Sequence, residues 1–191
     1  MFSTLVLFST ISFSYDSDPE AFIDQLVNDA ISILSDKNIS IVDKNKKIKT
    51  IALQNVDIEA LGMYTLGQTR KNIDQVTLEK YKNLFEKYFL KSLTSRLTDY
   101  ASQNFEILGA DQKSEAYTIV KSKIAESSSG PEIKINWRVY TKDPAKPLIR
   151  DLIVEGLSLA KTQKEEFASI LNSNNNDISV LFTKLEEFIK K

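Results

Sequence analysis

From residue 19 to residue 101 the apolar positions recur at steps of three and four, the period of helices with one buried face. Phe22, Ile23, Leu26, Val27, Ala30, Ile31 and Leu34 predict an amphipathic helix over 19–35. A second is expected over 43–55, with Ile48, Ile51 and Ala52 on its apolar side and lysines outside. Asp57 is placed to cap a short helix over 58–66, which Gly67 can end with a positive φ. The longest helix is predicted over 78–101, where Leu78, Tyr81, Phe85, Tyr88, Phe89, Leu93, Leu97 and Tyr100 form one stripe. At 1.5 Å per residue it would be roughly 35 Å long.

The period then shortens to two. Residues 105–109, 116–126, 132–142 and 148–155 read as four strands, clearest where Ile133, Ile135, Trp137 and Val139 alternate with Lys134, Asn136, Arg138 and Tyr140. Turn residues at 111–114, 127–131 and 143–147 separate them, and such short connections imply an antiparallel meander. Helical spacing returns over 159–171 and 178–189, the latter with Asp177 as its cap. The expected fold is α+β, a helical subdomain and C-terminal helices packed on one face of a curved four-stranded antiparallel sheet.

Composition narrows the chemistry. The chain has 191 residues, no Cys and no His, so disulfides, thiol nucleophiles, imidazole-based triads and ordinary zinc sites are excluded. Lys and Arg number 25 against 26 acids, and a net charge of −1 argues against non-specific nucleic-acid binding. The charge is uneven: residues 1–36 carry −6, residues 37–100 carry +5, and the remainder is neutral. The basic middle third includes Lys44, Lys46, Lys47, Lys49, Arg70 and Lys71, a patch for anionic headgroups or an acidic partner, or simply a solvated helix face.

Residues 1–15 (MFSTLVLFSTISFSY) carry no charge and are followed at once by Asp16 and Asp18. The stretch is shorter than the ~20 residues a bilayer core demands, and it fits the apolar core and small-residue cleavage region of an export signal. Elsewhere no segment reaches transmembrane length. A leader over 1–15 and a single domain over 16–191 are therefore expected, the domain mainly helical over 16–103, sheet over 104–156 and helical again over 157–191.

Two segments carry a resemblance. One is Tyr64-Thr65-Leu66-Gly67-Gln68-Thr69-Arg70-Lys71, followed by Leu78-x-x-Tyr81-x-x-Leu84-Phe85-x-x-Tyr88-Phe89 and ending at Leu97-x-x-Tyr100. The other is Asp151-Leu152-Ile153-Val154-Glu155-Gly156-Leu157-Ser158-Leu159, followed by Phe167-Ala168-Ser169-Ile170-Leu171. Together, in this order over most of residues 20–190, they resemble the MlaC family, also called the toluene-tolerance auxiliary proteins. The resemblance implies an NTF2-like sheet enclosing an apolar cavity. It implies a soluble periplasmic carrier of a Gram-negative bacterium, with phospholipid as cargo and no other cofactor. Its expected partners are an inner-membrane Mla ABC transporter complex and an outer-membrane lipoprotein–porin complex, between which lipid is shuttled to maintain outer-membrane asymmetry.

Such a carrier needs a cavity and a mouth rather than catalytic groups. A diacyl lipid has on the order of 30 tail carbons, and at about 0.8 kcal/mol per CH₂ their transfer from water would be worth roughly 24 kcal/mol. That exceeds the ceiling of about 18–21 kcal/mol for non-covalent affinity. The relevant exchange is therefore between a membrane or partner cavity and this one, where apolar terms nearly cancel.

The cavity wall is expected from Val120, Ile124, Ile135, Trp137, Val139, Leu152 and Val154 on the strands, faced by Phe85, Phe89, Leu93 and Leu97 of the long helix, although each could equally be core. Arg70 and Lys71 are candidates for headgroup or partner contact. Gly156 reads as a turn leaving the fourth strand, Ser158 as a helix cap, and Asp151 as a structural pairing group. Two other readings stand beside the carrier. In one, an NTF2-like enzyme uses Asp151 as base with Tyr100 or Tyr117 as oxyanion donor. In the other, the chain is a periplasmic interaction module without cargo.

Overall fold

The computed structural model describes residues 15–97, 104–126 and 130–191, the side chains of residues 96 and 97 excepted. Six α-helices and five strands are described. Helix α1 (Pro19–Ser35) begins where Asp18 Oδ1 accepts the N–H groups of Glu20 and Ala21, both at 3.0 Å, and Pro19 sits in the first turn, where a missing N–H costs nothing. Helix α2 (Ile41–Asn55) starts two residues before the apolar periodicity does. The reason is Ser40, whose Oγ accepts the Asp43 N–H at 3.1 Å, while Ile41 and Val42 point to solvent and so lie off the pattern.

Helix α3 (Ile58–Leu66) is capped by Asp57, which takes the Ala60 N–H at 3.1 Å. Gly67 ends it at φ 61°, in a backbone region side chains rarely tolerate, and opens a 3-10 turn over Gly67–Lys71. Helix α4 (Gln75–Leu97) begins three residues earlier than its stripe, because Asp74 accepts the Thr77 N–H at 2.8 Å. The expected extension to residue 101 lies outside the described residues.

The strands are β1 (Phe105–Ser114), β2 (Tyr117–Ile124), β3 (Ile133–Tyr140), β4 (Leu148–Val154) and β5 (Leu157–Ser158), paired antiparallel in chain order. The meander agrees with the sequence; the strand number does not. The fifth strand is two residues long, too short to show a period. It is created by a two-residue turn in which Glu155 and Gly156 both have positive φ (50° and 82°), the twist that suits a tight hairpin. The segment 111–114, expected as a turn, is the end of β1, polar because that end of the strand stands in solvent. β1 is interrupted at Leu108, where Ile107 pairs with Ser122 but Gly109 with Lys121, and Gly109 takes φ 118°. Helix α5 (Leu159–Asn172) is capped by Ser158, and α6 (Ile178–Lys190) by Asp177.

The helices do not keep to one face of the sheet, as the pattern suggested. Register places Thr118, Val120, Ser122 and Ile124 of β2 beside Val139, Trp137, Ile135 and Ile133 of β3, with Ile149, Leu152 and Val154 of β4 in line. On this face Val120, Val139 and Ile149 form an apolar cluster with Phe22, Ile23 and Leu26 of α1 and Ile51 of α2. The chain then turns round the β4 edge at Val56–Asp57, where Val56 bridges to Ile149 and the Asp57 N–H donates to the Ile149 carbonyl at 2.9 Å. Beyond that point α3 and α5 stand over the opposite face. A second cluster forms among α3, α4, α5 and α6 around Leu61, Leu66, Tyr81, Phe85, Phe167, Leu181 and Leu185. Phe85 presses so closely on α3 that a Cβ at Gly62 would lie 2.8 Å from its ring.

Candidate functional site

A cleft of about 790 Å³ opens between the second sheet face and helices α3 and α5, within the range of small-molecule sites. Ala60, Leu61 and Tyr64 of α3 and Ala160 of α5 form its helical wall. Its floor is the alternate set of strand residues: Tyr117, Ile119 and Lys121 of β2, Asn136 and Arg138 of β3, Arg150 and Ile153 of β4, with Asp111, Lys113 and Ser114 of β1 at one side. Leu61 and Ala160 belong also to the helical cluster, so the apolar wall continues into that interior. The lining holds four cations and one carboxylate.

One end of the cleft is fixed by Arg150. Its Nε and Nη2 donate to Asp57 Oδ2 at 2.8 and 2.7 Å, its Nη1 donates to the Tyr117 hydroxyl at 2.8 Å, and its guanidinium lies 3.5 Å from the centre of the Tyr140 ring. Burial works against the Arg150 charge, but the hydrogen bonds with Tyr117 and Asp57 outweigh it and raise the proton affinity of the guanidinium. The other carboxylate behind the floor, Asp151, is buried at 3% exposure. It accepts the Ser158 hydroxyl at 2.6 Å and the Ala160 N–H at 3.0 Å, with Arg138 at 3.5 Å. Asp151 thus ties the start of α5 to β4 and pairs with an arginine. Those three contacts occupy the carboxylate an Asp-base mechanism would require. Of its expected oxyanion donors, Tyr100 lies outside the described residues, and the Tyr117 hydroxyl receives Arg150.

The expected wall residues fall into two places, and none lines the cleft. Val120, Ile124, Ile135, Trp137, Val139, Leu152 and Val154 share the sheet face under α1, where Trp137 Nε1–H donates to Ser122 Oγ at 2.8 Å. Phe85, Phe89 and Leu93 of α4 belong to the helical cluster instead. The sheet face they were expected to oppose is covered by α1. The Leu97 side chain lies outside the described residues. Arg70 closes α3, its Nη1 donating to the Met63 and Gly67 carbonyls at 2.8 Å, while Lys71 is exposed. Within the lysine-rich helix, Lys44 donates to the Leu34 carbonyl, and Lys46 and Lys49 flank a shallow groove between Val42 and Leu53.

The expected wall and the cleft floor use the same strands but opposite faces of the sheet. A signal was present: Leu152-Ile153-Val154 is apolar without alternation, as expected of a strand covered on both sides. Tyr64, on the helical wall, stands first in the motif that carried the resemblance.

Among the described residues no helix is long and apolar enough to cross a membrane, and no group of acidic residues is arranged to hold a metal ion. The profile of the MlaC protein family matches residues 24–187. No curated protein matches the chain. Among solved structures, the phospholipid-binding protein from Ralstonia solanacearum, determined in complex with a phospholipid, is similar in fold at a TM-score of 0.73 and 17% identity. The alignment covers 91% of this chain and 97% of that one.

Proposed function

Because the chain belongs to the MlaC family, we propose that it is a phospholipid carrier of the periplasm, led there by residues 1–15 as an export signal and acting without catalysis. The observation that carries this reading is the cleft, whose apolar helical wall stands across from a floor bearing cations. An amphiphile with an anionic head and apolar tails has that same division. The tails lie along Ala60, Leu61, Tyr64, Ile119, Ile153 and Ala160 and reach toward the aromatic interior around Phe85, Phe89 and Phe167. Admitting two full tails requires α3 and α5 to move further from the sheet.

The likeness in fold to a protein solved with phospholipid supports the reading. So does the absence of His and Cys, since carriage needs neither. In this role the protein exchanges lipid with an outer-membrane lipoprotein–porin complex and an inner-membrane ABC transporter. The near-cancellation of apolar terms leaves direction to small affinity differences or to ATP used by the latter. Native mass spectrometry of protein purified without detergent, with organic extraction of the same sample, tests the proposal. Co-purified phospholipid at near one equivalent is expected, and protein of bare chain mass that takes up none from vesicles overturns it.

A further inference from the structure

Three polar side chains on the cleft floor are grouped by register. Lys121 of β2 is the direct cross-strand partner of Asn136 of β3, and Arg138 follows Asn136 two residues on, on the same face. Direct partners have Cβ atoms about 5 Å apart, and residues two apart on a strand about 6.7 Å apart. The triangle is therefore the size that a phosphate group spans with its donors.

These groups have donors to spare. Asn136 has no side-chain hydrogen bond among the described residues, and Arg138 has only its 3.5 Å contact with Asp151 and remains 43% exposed. Lys121 lies 3.9 Å from Asp111, beyond hydrogen-bond reach. Asp111 is itself bonded to Lys113, which holds its carboxyl below the usual carboxylate range. Arg150, by contrast, is already committed to Asp57 and Tyr117. Asp111 is the one carboxylate in the described lining, and it is engaged. A ligand's ammonium group thus finds no free anion here, while its phosphate finds three donors.

We propose that Lys121, Asn136 and Arg138 form a phosphate-binding site on the cleft floor that makes the protein prefer phospholipids of net negative headgroup over zwitterionic ones. This rests on the carrier reading above for its lipid, while the phosphate chemistry stands on the triangle itself. A guanidinium and an ammonium on one phosphate, set against the unanswered ammonium of a zwitterionic lipid, suffice for a preference of about tenfold.

The test has two arms. In the first, protein stripped of lipid is incubated with vesicles of equal phosphatidylglycerol and phosphatidylethanolamine, re-isolated, and its lipids quantified by mass spectrometry. Wild-type protein is expected to retain about ten phosphatidylglycerols for each phosphatidylethanolamine. The K121Q/R138Q variant, and N136L, which removes no contact among the described residues, are expected to bring the ratio toward one. K46Q on the outer side of α2 should leave it unchanged. In the second arm, inorganic phosphate and glycerol 3-phosphate are titrated into stripped protein while the Asn136 side-chain amide is followed by NMR, with chloride as control. A saturable shift that is lost in R138Q supports the site. A wild-type lipid ratio near one, or one the variants do not alter, overturns the headgroup preference and leaves the carrier reading intact. Failure to retain any lipid, with a saturable phosphate shift, sinks the carrier reading and assigns the site to a soluble phosphate. No shift with phosphate and no lipid preference ends the proposal in both forms.

Discussion

Arg150 on β4 and Asp57 at the head of α3 are 93 residues apart in sequence, yet two N–H groups of the arginine converge on one carboxylate oxygen, at 2.7 and 2.8 Å. Asp57 is also the cap of α3 through Ala60, and its own N–H is held by Ile149. The pair therefore decides where α3 stands over the sheet, and with it the width of the cleft.

Arg150→Met should cost about 2 kcal/mol, a value between surface and fully buried ion pairs, because a quarter of the Arg150 side chain remains in contact with water. Lysine at this position keeps the charge but not the two-pronged geometry, so R150K should fall between wild type and R150M. Urea denaturation checks both. A double-mutant cycle with Asp57→Asn should show strong coupling, and additive losses would mean that the contact stabilises nothing.

Tyr81 is fully buried, its hydroxyl 2.8 Å from Thr65 Oγ1 and 3.1 Å from the Gly62 carbonyl to which it donates. Burial raises its pKa well above the ordinary phenol value, and Tyr15 is raised likewise by burial and by Asp29. A raised folded-state pKa on an acid means that its stabilising effect is complete below the unfolded value near 10 and is lost as pH climbs past it. Thermal melts from pH 8 to 11 should show a steep alkaline decline, shallower in Tyr81→Phe, which itself loses about 1–2 kcal/mol from the broken hydrogen bonds. An identical slope in the variant would remove Tyr81 from the explanation.

The acid limb has a separate origin. Asp177 and Asp74 are held below the usual carboxylate range, chiefly by hydrogen bonds from Ser179 and Thr77 in the first turns of α6 and α4. Depressed carboxylates stabilise the fold above their unfolded pKa of about 4 and cease to as pH falls through the folded value. With no His in the chain, melting temperature should be nearly flat from pH 5.5 to 8.5 and then fall below about pH 4. Asp177→Asn and Asp74→Asn should each make that acid fall shallower.

Much of this fold is written in local pattern. The caps Asp57, Ser158 and Asp177 and the alternation of Ile133, Ile135, Trp137 and Val139 place their elements correctly, because each acts over a few residues. The position of α1 is not local. Phe22, Ile23 and Leu26 pack under Val120 and Val139 while the α4 aromatics pack among the helices, and apolar stripes carry no address that assigns one face or the other. The cleft floor was hidden for a related reason: Lys121, Asn136 and Arg138 look like any solvated strand face until α3 and α5 stand over them. The two-residue β5 depends on φ values at Glu155 and Gly156, which periodicity does not report.

Gly62 tests the packing of the helical cluster. Alanine is the better helix former by about 1 kcal/mol, yet its Cβ would lie 2.8 Å from Phe85 Cδ1 inside a filled interior. Overpacking of this kind costs about 1–3 kcal/mol, so Gly62→Ala should lower the melting temperature by a few degrees. The double variant G62A/F85L should recover part of the loss, since the smaller side chain vacates the contact. A more stable G62A would show that α3 and α4 can slide apart freely.

Neighbouring residues on β4 should answer the same substitution differently. Leu152 packs toward α1 and the sheet core, and Val139 on the same face is fully buried. Ile153 faces the cleft. A carboxylate on the packed face has no partner and must be desolvated, so Leu152→Glu and Val139→Glu should lose several kcal/mol and fail to give a cooperative melt. Ile153→Glu stands where water already enters, so it should keep its helix content and melting transition while losing most of its co-purified phospholipid to charge repulsion. Ile153→Trp should do the same by filling the space. Circular dichroism melts and native mass spectrometry on the four variants distinguish the faces. If Leu152→Glu folds and sheds lipid while Ile153→Glu retains it, the tails lie beneath α1 and the cleft is not their site.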